Sequence, residues 1–191
     1  MTHRNSPCIV ERCHEIKPIR QFRPGWGRGE FPSGPWETEP DRVDFTAQGH
    51  PCFVHRNRFG VWCGYVGVPR SHPAFGHQYD DFNVSVHGGL TYSGKCSGHL
   101  CHAGPQKVLW WLGWDAFHSG DLAPVMLQSL REIYRHSDAH YWTVQEAIGE
   151  TKRLASQLTG RVSYREKNPF LGHPQRMLRF LRRQLRAIRA D

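Results

Sequence analysis

A chain of 191 residues with seven Trp, ten Phe and six Tyr is long enough for one packed domain with extensions, because each aromatic side chain buries a large apolar area even where the hydrophobic fraction is only 38%. The net charge of +8 is unevenly spread: residues 151–191 hold eleven Lys/Arg against two acids, and residues 1–150 hold fourteen against fifteen, so attraction to nucleic acid or to an acidic protein is a property of the tail alone. No run approaches the roughly 18 apolar residues of a membrane span, and the opening MTHRNSPCIVERCHEIK lacks an apolar signal core, which predicts a cytoplasmic protein with six reduced cysteines.

Taken in chain order, residues 1–33 read as an irregular N-terminal arm, and the Pro and Gly of RPGWGRGEFPSGPWETEP keep the hydrophobic period weak as far as residue 48. From His50 the pattern changes. PCFVHR, the turn signal NRFG and VWCGYVGVP predict an antiparallel hairpin ended by Pro69. Residues 81–87 alternate, with Phe82, Val84 and Val86 on one face and Asp81, Asn83, Ser85 and His87 on the other, which predicts a strand. Gly88 and Gly89 allow a turn, and VLWWLGW over 108–114 reads as a buried central strand ending at Asp115.

Beyond that strand the period becomes helical. Asp121 as N-cap with Pro124 in the first turn predicts one helix, followed by Leu127, Leu130 and Ile133 on a common stripe. A second helix starts at the capping box Thr143-Val144-Gln145-Glu146 and runs to Leu158. From Gln175, Met177, Leu181, Leu185 and Ile188 form an apolar stripe, while Arg176, Arg179, Arg182, Arg183, Arg186 and Arg189 cover the remainder, which predicts a basic amphipathic helix. The expected architecture is α+β: a small antiparallel sheet of four or five strands followed by two helices in a core domain over 34–160, and a basic helical tail over 161–191.

The blocks GPWETEPDRVDF, GHPCFVHRNRFGVWCGYVGVPRSHPAFG, VSVHGGLTYSGKC and WWLGWDAFHSGDLAP together resemble an uncharacterised protein family of bacteriophage and prophage genomes, over about residues 34–158. The resemblance implies an accessory phage gene product in a bacterial cytoplasm, a role that extends to counteracting host defence, and it places the basic tail outside the shared region.

Four constellations carry candidate chemistry. His87, Asp115, His118 and Asp121 are the ingredients of a general acid/base site or an N/O metal site, since imidazole titrates near neutrality and a carboxylate can orient it; the competing reading makes Asp121 a helix cap and Asp115 a holder of turn amides. The polar row Asp81, Asn83, Ser85 and His87, with His72 before it and Gly88-Gly89 after it, offers donors and acceptors to a small polar ligand, a nucleotide-like one among them, or is simply the solvated face of a sheet. Cys8, Cys13, Cys96 and Cys101 supply two Cys-x4-Cys pairs that can hold a structural zinc, against unrelated thiols. The six tail arginines suit phosphates or an acidic host protein, or form a solvated helix face. No Ser or Thr sits in a recognisable activating motif.

Overall fold

The computed structural model describes residues 12–13, 33–95, 108–127, 138–160 and 162–164. Their backbone forms an antiparallel sheet from β2 (Arg42–Ala47), β3 (His50–Arg56), β4 (Trp62–Pro69), β5 (Tyr92–Lys95) and β6 (Leu109–Asp115), to which the two-residue β1 (Arg12–Cys13) adds an edge pairing. The spatial order is β1-β2-β3-β4-β6-β5. One helix, α1 (Val144–Leu158), lies across the sheet. The arrangement is α+β, as the period changes along the chain predict.

Local chemistry explains the turns. Gln48 and Gly49 have φ of 53° and 78° between the paired Ala47 and His50, the two positive values that match a tight hairpin to strand twist. The β3–β4 hairpin falls where PCFVHR-NRFG-VWCGYVGVP predicts it, its turn fixed by the Asn57 carbonyl accepting from Gly60 N at 2.9 Å and the Asn57 side chain accepting from Phe59 N at 2.8 Å. At the start of α1, Thr143 Oγ1 accepts from Glu146 N, and the Glu146 carboxylate returns to Thr143 N at 2.8 Å, so the predicted capping box is present.

The main core lies between one sheet face and α1. Val43, Phe45, Val54, Val66, Leu112 and Trp114 meet Ala147, Ile148, Leu154, Ala155 and Leu158, each fully buried aliphatic side chain contributing about 1.5–3 kcal/mol. Contact is closest at Gly64, where a Cβ would collide with the Thr151 hydroxyl and the Trp114 indole. Buried Thr151 is satisfied there: it accepts from Trp114 Nε1 at 3.2 Å and donates to the Ala147 carbonyl at 2.8 Å. On the opposite sheet face Phe53 stacks on Tyr65 at 4.7 Å and meets Trp111 edge-on at 5.0 Å, and Gly113 leaves room for the Tyr65 ring.

A buried ionic node joins the sheet to the helix. Arg56 is 4% exposed, and its guanidinium donates to the carbonyls of Trp36 and Glu39, each at 2.6 Å. The Glu39 carboxylate, 3.8 Å from Arg56, accepts from the Tyr141 hydroxyl at 2.6 Å and from Val144 N, in the first turn of α1, at 2.9 Å. Burial, reinforced by that bond to Glu39, pushes the Tyr141 phenol well above its ordinary range, so it stays a donor.

Two expectations are corrected. Residues 83–87 belong to no strand: among the described residues this stretch joins other backbone through an isolated bridge from Phe82 to Tyr164, with Asn83 N donating to Ser163 O at 2.9 Å. The alternation does place Phe82 and Val86 in the core, but the backbone groups of Ser85 and His87 that a ladder would pair go to helix side chains instead. Gln157 accepts from Ser85 N at 2.8 Å and donates to Ser85 O at 3.0 Å. Nor does Asp121 cap a helix. It makes a parallel bridge with His140, and the turn that follows is a 3-10 turn, Pro124–Met126, entered from Ala123 without a side-chain cap. Leu130, Ile133 and the basic stretch from Gln175 fall outside the described residues.

Two outcomes test this packing. Gly64→Ala should cost about 1–3 kcal/mol in chemical denaturation, because the added methyl must displace Thr151 or Trp114; a loss within about 0.5 kcal/mol would mean that α1 does not approach β4 this closely. His50 is buried, and desolvation, with the neighbouring His72 adding to it against a bond to the Gly67 backbone, lowers its pKa from 6.5. A base depressed in the fold contributes stability above its unfolded pKa and loses it as pH falls. The melting temperature should therefore drop on going from about pH 7.5 to pH 5.5, around the unperturbed imidazole value, and less steeply in His50→Gln; equal slopes would show that His50 titrates alike in both states.

Candidate functional site

Three segments converge beside one edge of α1. The first is the turn after Val86, where Gly89 N donates to Val86 O at 3.0 Å and Gly88 and Gly89 take φ of 63° and 87°, values that favour glycine. The second is the loop leaving β6, in which Asp115 Oδ1 accepts from Phe117 N at 3.1 Å and Asp121 N donates to the His118 carbonyl at 3.0 Å. The third is the strap 138–142, held along the second by His140 N to Gly120 O and Leu122 N to His140 O, both 2.8 Å.

Where they meet, one carboxylate gathers the chemistry. Asp121 is 8% exposed. Its Oδ2 lies 2.8 Å from His87 Nε2, accepts from His118 N at 2.8 Å and lies 3.5 Å from His118 Nδ1. Its Oδ1 accepts from Trp142 Nε1 at 3.1 Å. A carboxylate so placed is an acceptor on both oxygens, so His87 presents Nε2–H to it and leaves Nδ1 free to accept or give a proton. The two imidazoles stand nearly perpendicular with centroids 5.1 Å apart. Both remain partly open to solvent, at 27% and 31% of their side-chain surface.

His87 is also fixed from behind. Trp142 packs against its ring at 4.5 Å, and its backbone N donates to Glu150 Oε1 at 2.5 Å. Burial alone would raise the Glu150 carboxyl, but the bonds from Arg153 and from His87 N together outweigh it and hold the group below its ordinary range. Glu150 is bound in turn by Arg153 through Nε at 2.8 Å and Nη2 at 2.5 Å. Gly88 serves the same geometry by omission, since a Cβ there would run into the His118 ring.

Of the residues singled out from the sequence, His87, His118 and Asp121 are brought together, with Gly88 against the His118 ring, and the other described ones serve different contacts. Asp115 takes Thr91 Oγ1 at 2.6 Å besides the Phe117 amide, the turn-holding role. His72 uses both nitrogens, Nε2 toward Leu158 O at 2.7 Å and Nδ1 from Ala74 N at 3.1 Å, and so secures the end of α1. Asp81 is buried and accepts from Gln78 N at 3.1 Å in the 3-10 turn Tyr79–Asp81. Asn83 and Ser85 are exposed, and Ser85 is engaged by Gln157 and by Arg153 Nη1 at 3.3 Å. Cys13 contributes a backbone pairing with Val43, while Cys8, Cys96, Cys101 and the six tail arginines fall outside the described residues. Cys52 and Cys63 are buried, and burial pushes both thiols up to about 12, which keeps them protonated. Trp142 and Glu150 were not legible as site residues; the one available signal is that Trp142 immediately precedes the Thr143 cap, which ties it to a fixed helix end.

Gly88→Ala tests the assembly. It should destabilise the fold by about 1–3 kcal/mol through the positive φ and the collision with His118, and shift the His87 and His118 imidazole resonances while leaving those of His50 in place. Unmoved His118 resonances would show that its ring does not rest on Gly88.

No family model, curated protein or solved structure matches this chain, so its functional assignment rests on the geometry of the His87–Asp121–His118 cluster.

Proposed function

We propose that the chain is a phage-type accessory protein whose core binds a small polar, nucleotide-like ligand at the His87–Asp121–His118 cluster and acts on it by proton transfer, as in hydrolysis. The observation that carries this reading is the placement of one carboxylate oxygen, Asp121 Oδ2, 2.8 Å from His87 Nε2 and 3.5 Å from His118 Nδ1, with both rings partly open to solvent. Two imidazoles beside one carboxylate can exchange protons with a bound group, and the carboxylate fixes the tautomer of the first.

The nucleotide-like part is supported by what adjoins His118. Phe117 is 43% exposed and stacks on Phe59 at 4.9 Å with planes 7° apart, while the Arg58 guanidinium lies 4.8 Å from the Phe59 centroid. An open aromatic face next to a cation suits a planar base carrying phosphate. The concentration of positive charge in residues 151–191 favours a second reading, attachment to nucleic acid or to an acidic host protein, in which the histidines take no part.

Thermal-shift titration of the full chain with nucleotides, nucleosides and sugar phosphates separates these readings. A nucleotide should raise the melting temperature of the wild type, and His87→Gln and His118→Gln, folded by circular dichroism, should bind it at least about tenfold more weakly. Phe117→Ala should weaken nucleotides more than sugar phosphates. If no compound shifts the wild type, or the shifts survive in both histidine variants, the site reading falls and salt-dependent binding through the basic segment takes its place.

A further inference from the structure

We infer that the same cluster is a divalent transition-metal site of the zinc class, with His87 Nε2, His118 Nδ1 and Asp121 Oδ2 as its three protein ligands. This inference rests on the preceding reading in one respect only, that the cluster is the functional centre, and it names the cofactor that centre would use.

Geometry supplies the first argument. One ligand atom from each residue lies within 4.8 Å of the others. An ion bound at about 2.0–2.1 Å in tetrahedral fashion sets its ligand atoms roughly 3.3 Å apart. The two separations to Asp121 Oδ2, 2.8 Å and 3.5 Å, bracket that value, so each imidazole nitrogen already stands close to ligand spacing from the carboxylate oxygen.

The second argument is an atom without a partner. Among the described residues His118 Nδ1 is buried and makes no hydrogen bond, although the carboxylate it approaches bonds well to the neighbouring backbone amide. A buried nitrogen left in this state costs about 1–3 kcal/mol. Metal ligation gives that lone pair a use, on the side of the ring that faces Asp121.

The third argument is the surrounding support. Metal-binding side chains are normally oriented by outer hydrogen bonds, and here the free carboxylate oxygen is held by Trp142 Nε1 and the His87 backbone by Glu150. The donor set of two imidazoles and one carboxylate suits zinc, cobalt(II) or iron(II) and not calcium or magnesium, which require more oxygen ligands. Three protein ligands leave at least one position for water or for a polar group of the ligand. Loading requires one proton to relocate: a neutral His87 that gives Nε2 to the metal carries its proton on Nδ1 instead, exchanged through water, with no net release from that ring.

The test is metal titration of the EDTA-stripped full chain with zinc, and with cobalt(II) to report donor type by its absorption spectrum. The wild type should bind one ion in a site without thiolate charge-transfer absorption. His118→Gln and Asp121→Asn should each lose that ion or bind it at least about a hundredfold more weakly, beyond the roughly 10–100-fold effect of an outer-shell change, and zinc should move the His87 ring proton from Nε2 to Nδ1 in nitrogen-15 spectra. Should one variant fail to fold, His87→Gln provides the same comparison. Equal binding by the wild type and the folded variants, or cobalt spectra showing only thiolate ligation, overturns the inference. A chain that binds nucleotides in EDTA but no ion at the histidines would sink the metal site and leave the acid/base reading standing; an ion bound there with no nucleotide response would do the reverse.

Discussion

The buried guanidinium of Arg56 is the constraint on which the arrangement around it depends. Removing a guanidinium from water costs several kcal/mol, and here Nη1 and Nη2 donate to the carbonyls of Trp36 and Glu39, which draws the stretch before β2 against the end of β3. The Glu39 carboxylate is thereby committed to the interior, where it holds Tyr141 and the first turn of α1. Trp142 lies between those two attachment points, and it is Trp142 that holds Asp121. A charge buried at the end of a strand thus sets, through Glu39, Tyr141 and Trp142, where the cluster's carboxylate sits.

The cluster is consequently framed by elements that are tied to one another by side-chain contacts. The helix contributes Glu150 behind His87, the strap contributes Trp142 behind Asp121, and the loop after β6 contributes His118, whose ring occupies the space that Gly88 leaves open. Such support from packed elements is what allows imidazoles to stay partly exposed and still keep a fixed orientation. The outer face of the loop, with Phe117 on Phe59, is the freer part, and it lies next to His118 in the chain.

What the sequence disclosed depended on how local the cause was. The β3–β4 hairpin, the buried β6 and the Thr143 capping box each follow from residues within a few positions of one another, and each is found. β2 was hidden in a stretch dominated by Pro and Gly, because its polar outward residues include Arg42 and Asp44, which bond each other at 2.7 Å and 2.8 Å, while its strand identity comes from pairing with β3. The alternation over 81–87 correctly sorted Phe82 and Val86 inward, yet alternation only records which side is buried; it does not say whether the backbone pairs with a strand or with side chains. For the cluster, His87, His118 and Asp121 stood out by residue type and proximity to glycine. Asp115 stood out for the same reason but serves the turn, and Glu150 and Trp142 look like ordinary helix and pre-helix residues until the fold brings them within reach.

The side-chain attachment of residues 83–87 has an evolutionary meaning. A β-ladder is indifferent to most side chains, so a strand can drift in sequence and keep its register. The stretch leading to His87 is anchored instead by Gln157 and Glu150, two polar residues on a helix surface where substitution is ordinarily tolerated. Its heritability is therefore of a different kind: exchanges that would pass as neutral surface variation on any other helix would here release the backbone that carries a cluster histidine. Variation on this face of α1 is tied to whatever chemistry the histidine performs, and should be as restricted as variation in the cluster itself.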